Sequence, residues 1–332
     1  MADSSAITPE MKKTIGTWRL PDYPPEDVTI WGIRRYIAAT EDPNPLWRDE
    51  EYATKTRWGG VIAPPTFVEV YNPANRGYRE IGGEEQLGLV FPFPPPFGRT
   101  YMGGEEFEFF IPIRPGDTIY CNGVLGDIYE KKSSSGAGTM VFIQQNKEYF
   151  NQKGEMVART KWTTIHPEHA PQAALEERPA APERAAKPAT ISQKQVYFGE
   201  VEEGMAIPSM EKHVVMTTIV KWAGATGDAG RVHFDADFMR NVYGVPGVVA
   251  HGPLGGVYLA QLITNWIGGW GVFKKHSTQY RGNVFPGDII AFQGKVVRKW
   301  IEGGDNYVEC ETWAENPQGA KTAVGKSIVT LP

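Results

Sequence analysis

The 332-residue chain is 41% hydrophobic and 22% charged with a formal net charge of −5, an ordinary globular profile at a length suited to two domains. That balance leaves no basic footprint for nucleic acid or an anionic membrane, and no apolar run approaches the ~18 residues of a membrane span. Two distant cysteines, Cys121 and Cys310, argue against a disulfide framework or thiolate zinc site; with an N-terminus that lacks a signal-like apolar stretch, they lead us to expect a cytoplasmic protein.

The first predicted element is a short amphipathic helix over 30–39, where Ile30, Ile33, Tyr36 and Ile37 recur at helical spacing. An irregular loop, "EDPNPLW", follows it. Between 72 and 100 the stretches "NPANRGYREIGG" and "LVFPFPPPFGRT" hold enough Pro and Gly to interrupt a long helix. Residues 118–130 and 138–150 alternate apolar with polar side chains and read as antiparallel strands. The Ala/Pro/Glu-rich segment 167–191 has no apolar periodicity and reads as a linker.

The order of elements then repeats. A helix over 218–225 leads into the loop "GDAGRVH", and 253–267 is apolar nearly all round, the mark of a buried helix. Strands are expected over 289–301 and 306–315. Four short motifs match between the halves in the same order: "YIAATEDPNPLW" with "WAGATGDAGRVH", "GGVIAPPTF" with "PGVVAHGPL", "RPGDTI" with "FPGDII", and "NQKG" with "NPQG". The expectation is two tandem copies of one α+β unit, 1–166 and 192–332, flanking the 167–191 linker. Each is a helix wrapped by a long antiparallel sheet, the hotdog arrangement.

The repeat aligns Asp42 with Asp228 but Trp47 with His233. Fully extended, the five-residue step from 228 to 233 would span roughly 17 Å, so cooperation requires the loop to curl; Gly227 and Gly230 permit left-handed turns. Curled, the carboxylate and imidazole can share a water molecule and exchange protons with it. Gly252, in "AHGPL" at the start of the buried helix, offers an amide without an intrahelical partner. Such an oxyanion donor contributes about 3–4 kcal/mol to transition-state stabilisation. Plainer readings stand beside these: local hydrogen bonding for the Asp–His pair, a backbone partner for His251, and a simple cap for Gly252-Pro253.

"GDAGRVHFDADF", "PGVVAHGPLGGVYLA" and "FPGDII" resemble the MaoC-like (R)-specific enoyl-CoA hydratase (hydratase 2) and dehydratase family. "EDPNPLWRDEEYA", "GGVIAPPTF" and "FIPIRPGDTI" are similar to the N-terminal MaoC-like dehydratase domain of its two-hotdog members. The resemblance implies reversible syn hydration of a 2-enoyl thioester, of CoA or an acyl carrier protein, with no metal and no redox cofactor. It places the catalytic roles on Asp228, His233 and the Gly252 amide. The family's GD-x-NP-x-H pattern is broken here by Gly230 and Arg231; Arg231 is expected either to meet a substrate phosphate or carboxylate or to form a surface salt bridge. His251 is a substrate-side candidate.

Trp47 and the Pro64-Pro65 pair make the first half catalytically silent on this reading, its role being the acyl pocket. Phe91, Phe93 and Phe97 either line that pocket or pack a loop onto the sheet. An acyl-thioesterase and a non-catalytic acyl-thioester-binding subunit of a larger complex are the alternatives. A homodimer or a heteromeric partner stays open.

Overall fold

The computed structural model of the chain describes residues 5–20, 24–73, 91–134, 136–169, 186 and 194–332. Period-two burial dictates its dominant element. Between Thr139 and Phe150, Val141, Ile143, Gln145, Lys147 and Tyr149 are buried and their neighbours only partly so, as in a strand with one covered face. The first half supplies β1 (Glu26–Asp27), β2 (Tyr101–Phe109), β3 (Thr118–Lys132), β4 (Thr139–Phe150) and β5 (Met156–Pro167). The second supplies β6 (Ala206–His213), β7 (Val272–Tyr280), β8 (Ile289–Glu302), β9 (Asp305–Glu315) and β10 (Lys321–Thr330).

All ten strands join one antiparallel sheet in the order β1-β3-β4-β5-β2-β7-β10-β9-β8-β6. Counted outward from the centre, the two halves have the same strand order. Their seam is the β2–β7 ladder, where Gly104 to Glu108 pair with Gln279 to Lys275. The internal repeat seen in the sequence is thus an internal pairing of two units, an α+β double hotdog.

The repeated turns behave alike. In RPGD the Asp117 carboxylate accepts from the Arg114 amide at 2.7 Å, and in FPGD Asp288 accepts from the Phe285 amide at 2.9 Å. Gly116 and Gly287 both have positive φ, 89° and 99°, which L side chains rarely adopt. The two NxxG turns each close with a glycine amide donating to the asparagine carbonyl, Gly154 to Asn151 and Gly319 to Asn316.

Helices α1 (Pro9–Thr14), α2 (Ile30–Thr40), α3 (Glu50–Thr54), α4 (Met216–Thr226), α5 (Ala236–Phe238) and α6 (Gly252–Ile267) complete the chain. In α6 every residue except Gly252 and Gly255 is buried, as all-round apolarity requires. The equivalent place in the first half holds a 3-10 turn, Pro65–Tyr71, with Pro64 and Pro65 at its start. Residues 74–90 of the Pro/Gly-containing segment, and most of the expected linker, lie outside the described residues. Among the described residues no helix is long and apolar enough to cross a membrane.

Two histidines sit on the buried inner face of the sheet. His276 lies between Ser327 and the Gly256 carbonyl, to which its Nε2 donates at 3.1 Å; burial pushes its pKa down to about 4, as it does for His166. A folded-state pKa below the unfolded value of ~6.5 means that the unfolded chain binds the proton first, so stability is lost as pH falls from 6.5 toward 4. For His276 the loss by pH 4 is about 3 kcal/mol. We expect urea unfolding of His276→Gln, compared with wild type across pH 7 to 4, to lack that share of the acid sensitivity. Parallel stability curves for the two proteins would refute it.

Candidate active site

Helices α2 and α4 end two residues before the two repeated aspartates, with one capping residue between. Glu41 closes α2 in the left-handed conformation, φ 49°, and Gly227 closes α4 at φ 80°. Each chain then enters a 3-10 turn, Pro45–Trp47 in the first half and Arg231–His233 in the second. The backbone bonds match: Trp47 donates to the Asn44 carbonyl as His233 does to that of Gly230, and Asp49 and Asp235 both cap the short helix that follows.

What differs is the residue facing the aspartate. Trp47 Nε1 donates to Asp42 Oδ2 at 3.0 Å, and the Asn44 amide occupies Oδ1. Burial pushes the Asp42 carboxyl up. Lys212, from β6, ties this corner down by donating to the Thr40 and Glu41 carbonyls. In the second half the same curl brings Asp228, His233 and His251 together, with their ligating atoms all within 4.8 Å of one another.

Hydrogen bonds fix the protonation pattern of both rings. His233 Nδ1 lies 2.7 Å from the Val249 carbonyl; a carbonyl only accepts, so Nδ1 carries the proton and Nε2 of the neutral ring is left as a base. His251 Nε2 likewise donates to the Asp228 carbonyl at 2.9 Å. The two imidazoles stack with centroids 3.5 Å apart. Burial above all, and then the neighbouring His233, push the His251 pKa down to about 3. His251 is therefore a neutral brace between the aspartate's backbone and the other ring.

These groups share a cavity of about 340 Å³ with Gly252, the first residue of α6. Its amide has no intrahelical acceptor at that position. The cavity crosses the seam, since Tyr101, Met102 and Trp162 of the first half are part of its wall along with Tyr258, Tyr280 and Phe292 of the second. The aligned corner of the first half borders a smaller apolar cavity of about 190 Å³, lined by Trp47, Pro64 and Pro65.

Asp228, His233, His251 and Gly252 thus converge as the sequence suggested. The backbone partner expected for His251 is also present. Arg231 borders the cavity and pairs with Asp235 at 2.6 Å, its guanidinium lying over Phe238; this is the salt-bridge alternative. Phe91 and Phe93 stack on each other and pack with Ile7, Met11, Leu125 and Val141, Phe91 meeting the His166 ring edge-on, while Phe97 is 37% exposed at φ 60°; none of the three is among the residues lining the Asp228 cavity, and Phe91 and Phe93 take the loop-packing alternative. Sequence reasoning missed Trp162, Tyr280 and the Val249 carbonyl. Alternation marks Trp162 and Tyr280 as inner-face residues, but nothing local says they border a cavity.

Gly230 also has a different role from the one expected. Its φ of −61° is open to any residue, but a Cβ there would meet His233 Cδ2 at 3.2 Å and Asp228 Oδ1 at 3.5 Å. It is small so that the pair can close over it.

Two repeated units joined at one seam into a single ten-stranded sheet define a double-hotdog protein. Two family models match in succession, a FAS1-like dehydratase domain region over 14–160 and a MaoC-like domain over 182–314. The chain belongs to the MaoC-like dehydratase family. A protein named probable enoyl-CoA hydratase alpha subunit, from Thermomonospora curvata, is 31% identical over 42% of this chain and 45% of its own. A UPF0336 protein of Thermobifida fusca is 32% identical over 33% of this chain and 66% of its own. The matched stretch therefore spans about half to two thirds of these relatives. A solved MaoC-like dehydratase superposes with TM-score 0.73 at 21% identity, covering 97% of this chain and 99% of its own, and a double-hotdog protein of Mycobacterium tuberculosis with TM-score 0.63 at 12%, covering 95% and 97%.

Gly230→Ala is expected to displace the His233 ring by a few tenths of an ångström, visible as altered imidazole resonances, while the melting temperature changes little. Unaltered His233 resonances would show that the loop absorbs the methyl group elsewhere.

Proposed function

We propose that the chain hydrates 2-enoyl thioesters, acyl-CoA being the substrate class, and reverses the reaction on 3-hydroxyacyl thioesters. The observation that carries this reading is the shared cavity: Asp228, His233 with its Nδ1 held by the Val249 carbonyl, and Gly252 at the start of α6 line one volume. Asp228 accepts a hydrogen bond from water and orients it. His233 Nε2 takes one proton as the water oxygen bonds to C3. The C2–C3 π pair moves toward C1, and the negative charge forming on the thioester oxygen faces the Gly252 amide. Return of the proton from His233 to C2 completes syn addition, so that one water is added and the ring is again neutral.

The first half has no equivalent chemistry on this reading. Asp42 is occupied by Trp47, which has no proton to exchange, and the proline pair offers no amide. Its contribution is the wall formed by Tyr101, Met102 and Trp162. The domain assignment, a silent 1–166 unit and a catalytic 192–332 unit, follows from the same contrast. The Thermomonospora relative's name and that of mesaconyl-C(4)-CoA hydratase from Chloroflexus aurantiacus, 25% identical over 54% of this chain and 56% of its own, support the reaction class.

Loss of enoyl-thioester absorbance with crotonyl-CoA and longer 2-enoyl-CoAs tests the reaction. Asp228→Asn and His233→Ala are each expected to lower turnover by about 10²- to 10⁴-fold while leaving the circular dichroism spectrum intact. Near-wild-type turnover in either variant overturns the assignment, and free-thiol release by the wild-type protein would point to thioester hydrolysis instead.

A further inference from the structure

The hydration scheme leaves one set of buried ionisable groups unused. Lys147 is fully buried on the inner face of β4. Its ammonium lies 3.7 Å from the Trp162 ring centroid and has no hydrogen-bond partner. Gln145, two residues earlier on the same face, is buried opposite Trp162, and neither end of its amide is paired. Glu105 lies across from Trp162 on the other side, with one oxygen taken by the Tyr280 hydroxyl at 2.5 Å and the other without a partner. Glu69 of the 65–71 turn completes the group, held by the Asn72 amide at 3.2 Å.

Buried polar side chains nearly always find partners, and a buried ammonium that makes no hydrogen bond is costly even with the Glu69 and Glu105 charges near it. Scaffold groups would be expected to bond one another; here Lys147 Nζ, both polar atoms of Gln145 and Glu105 Oε2 remain open in one stretch of sheet. Lys147, Gln145 and Glu105 do not themselves border the active-site cavity, but they adjoin it, because Trp162 and Tyr280 contact this group and belong to the cavity wall. Met102 and Tyr280 are also the side chains nearest the Gly252 Cβ position, each at 3.5 Å, and they line the same cavity as Trp162. Burial pushes the Glu69 carboxyl up, and the nearby Lys147 ammonium opposes that shift.

We propose, on the hydratase reading above, that Lys147, Gln145 and Glu105 form the far end of the acyl site and select thioesters whose chain carries a neutral oxygen beyond C3. Lys147 supplies donors only, Gln145 a donor and an acceptor, and Glu105 Oε2 a further polar atom. A hydroxyl or keto oxygen answers that set. A plain alkyl chain leaves it unpaired, and sites built to hydrogen-bond a substrate oxygen discriminate strongly against analogues without one. A terminal carboxylate fits less well, since Glu69 and Glu105 already face the one ammonium.

The test compares kcat/KM of the full chain for three 2-enoyl-CoAs of equal length: plain alkyl, hydroxyl- or keto-bearing near the chain end, and carboxylate-ended. The oxygenated substrate is expected to lead. Its advantage over the alkyl one should fall about tenfold or more in Lys147→Met. Gln145→Leu serves as the second variant if Lys147→Met melts too low to assay. A substrate ratio that stays at the wild-type value in a folded variant overturns the proposal, as does a wild-type preference for the alkyl or carboxylate chain. Crotonyl-CoA, too short to reach the group, reads the Asp228–His233 chemistry alone. If no enoyl-CoA is hydrated, calorimetric binding of the saturated alkyl and keto acyl-CoAs decides the acyl site separately, with equal affinities counting against it.

Discussion

An imidazole acts as a base only at a nitrogen that carries no proton, and the site depends on how that nitrogen is chosen. The Val249 carbonyl takes the proton of His233 Nδ1 and so leaves Nε2 free. Val249 lies just ahead of the segment that starts α6, which means that the residue fixing the tautomer and Gly252, the proposed oxyanion donor, are three positions apart at the entry to a buried helix. His251 between them braces the Asp228 backbone and stacks on the ring it faces. Burial of α6 therefore sets the geometry of the base, the carboxylate and the amide together.

The first half shows what the same backbone becomes when the imidazole is exchanged. Trp47 reaches the same aspartate through Nε1, but indole nitrogen is a donor only. With Asp42 paired on both oxygens and Lys212 bridging to the adjacent carbonyls, this corner joins the two halves along the same chain path that in the second half brings Asp228 beside His233.

Much of this was legible in the residues. Four ordered motif pairs predicted the tandem fold, and each recurs as a matched turn or loop. All-round apolarity predicted the burial of α6. Placement of Asp228, His233 and Gly252 followed from motif and helix-start arguments, since both concern neighbours in sequence. The aromatic wall was less accessible. Phe91 and Phe93 looked suitable because they are large, yet their loop packs at the sheet end with Ile7 and Leu125, a contact between distant segments. Trp162 and Tyr280 were overlooked because a cavity at the β2–β7 seam arises only when the two halves pair. Lys147 was hidden for a related reason: strand alternation puts it inside, against what its charge suggests.

The seam itself has a genetic consequence. In an assembly of two identical chains every substitution appears twice, once in each copy, so a change that suits one crevice is imposed on the other. Here β2 and β7 are written by different codons. One unit can therefore carry Trp47 where the other carries His233, and Lys147 and Glu105 on its own inner face, without the same residue being imposed on its neighbour.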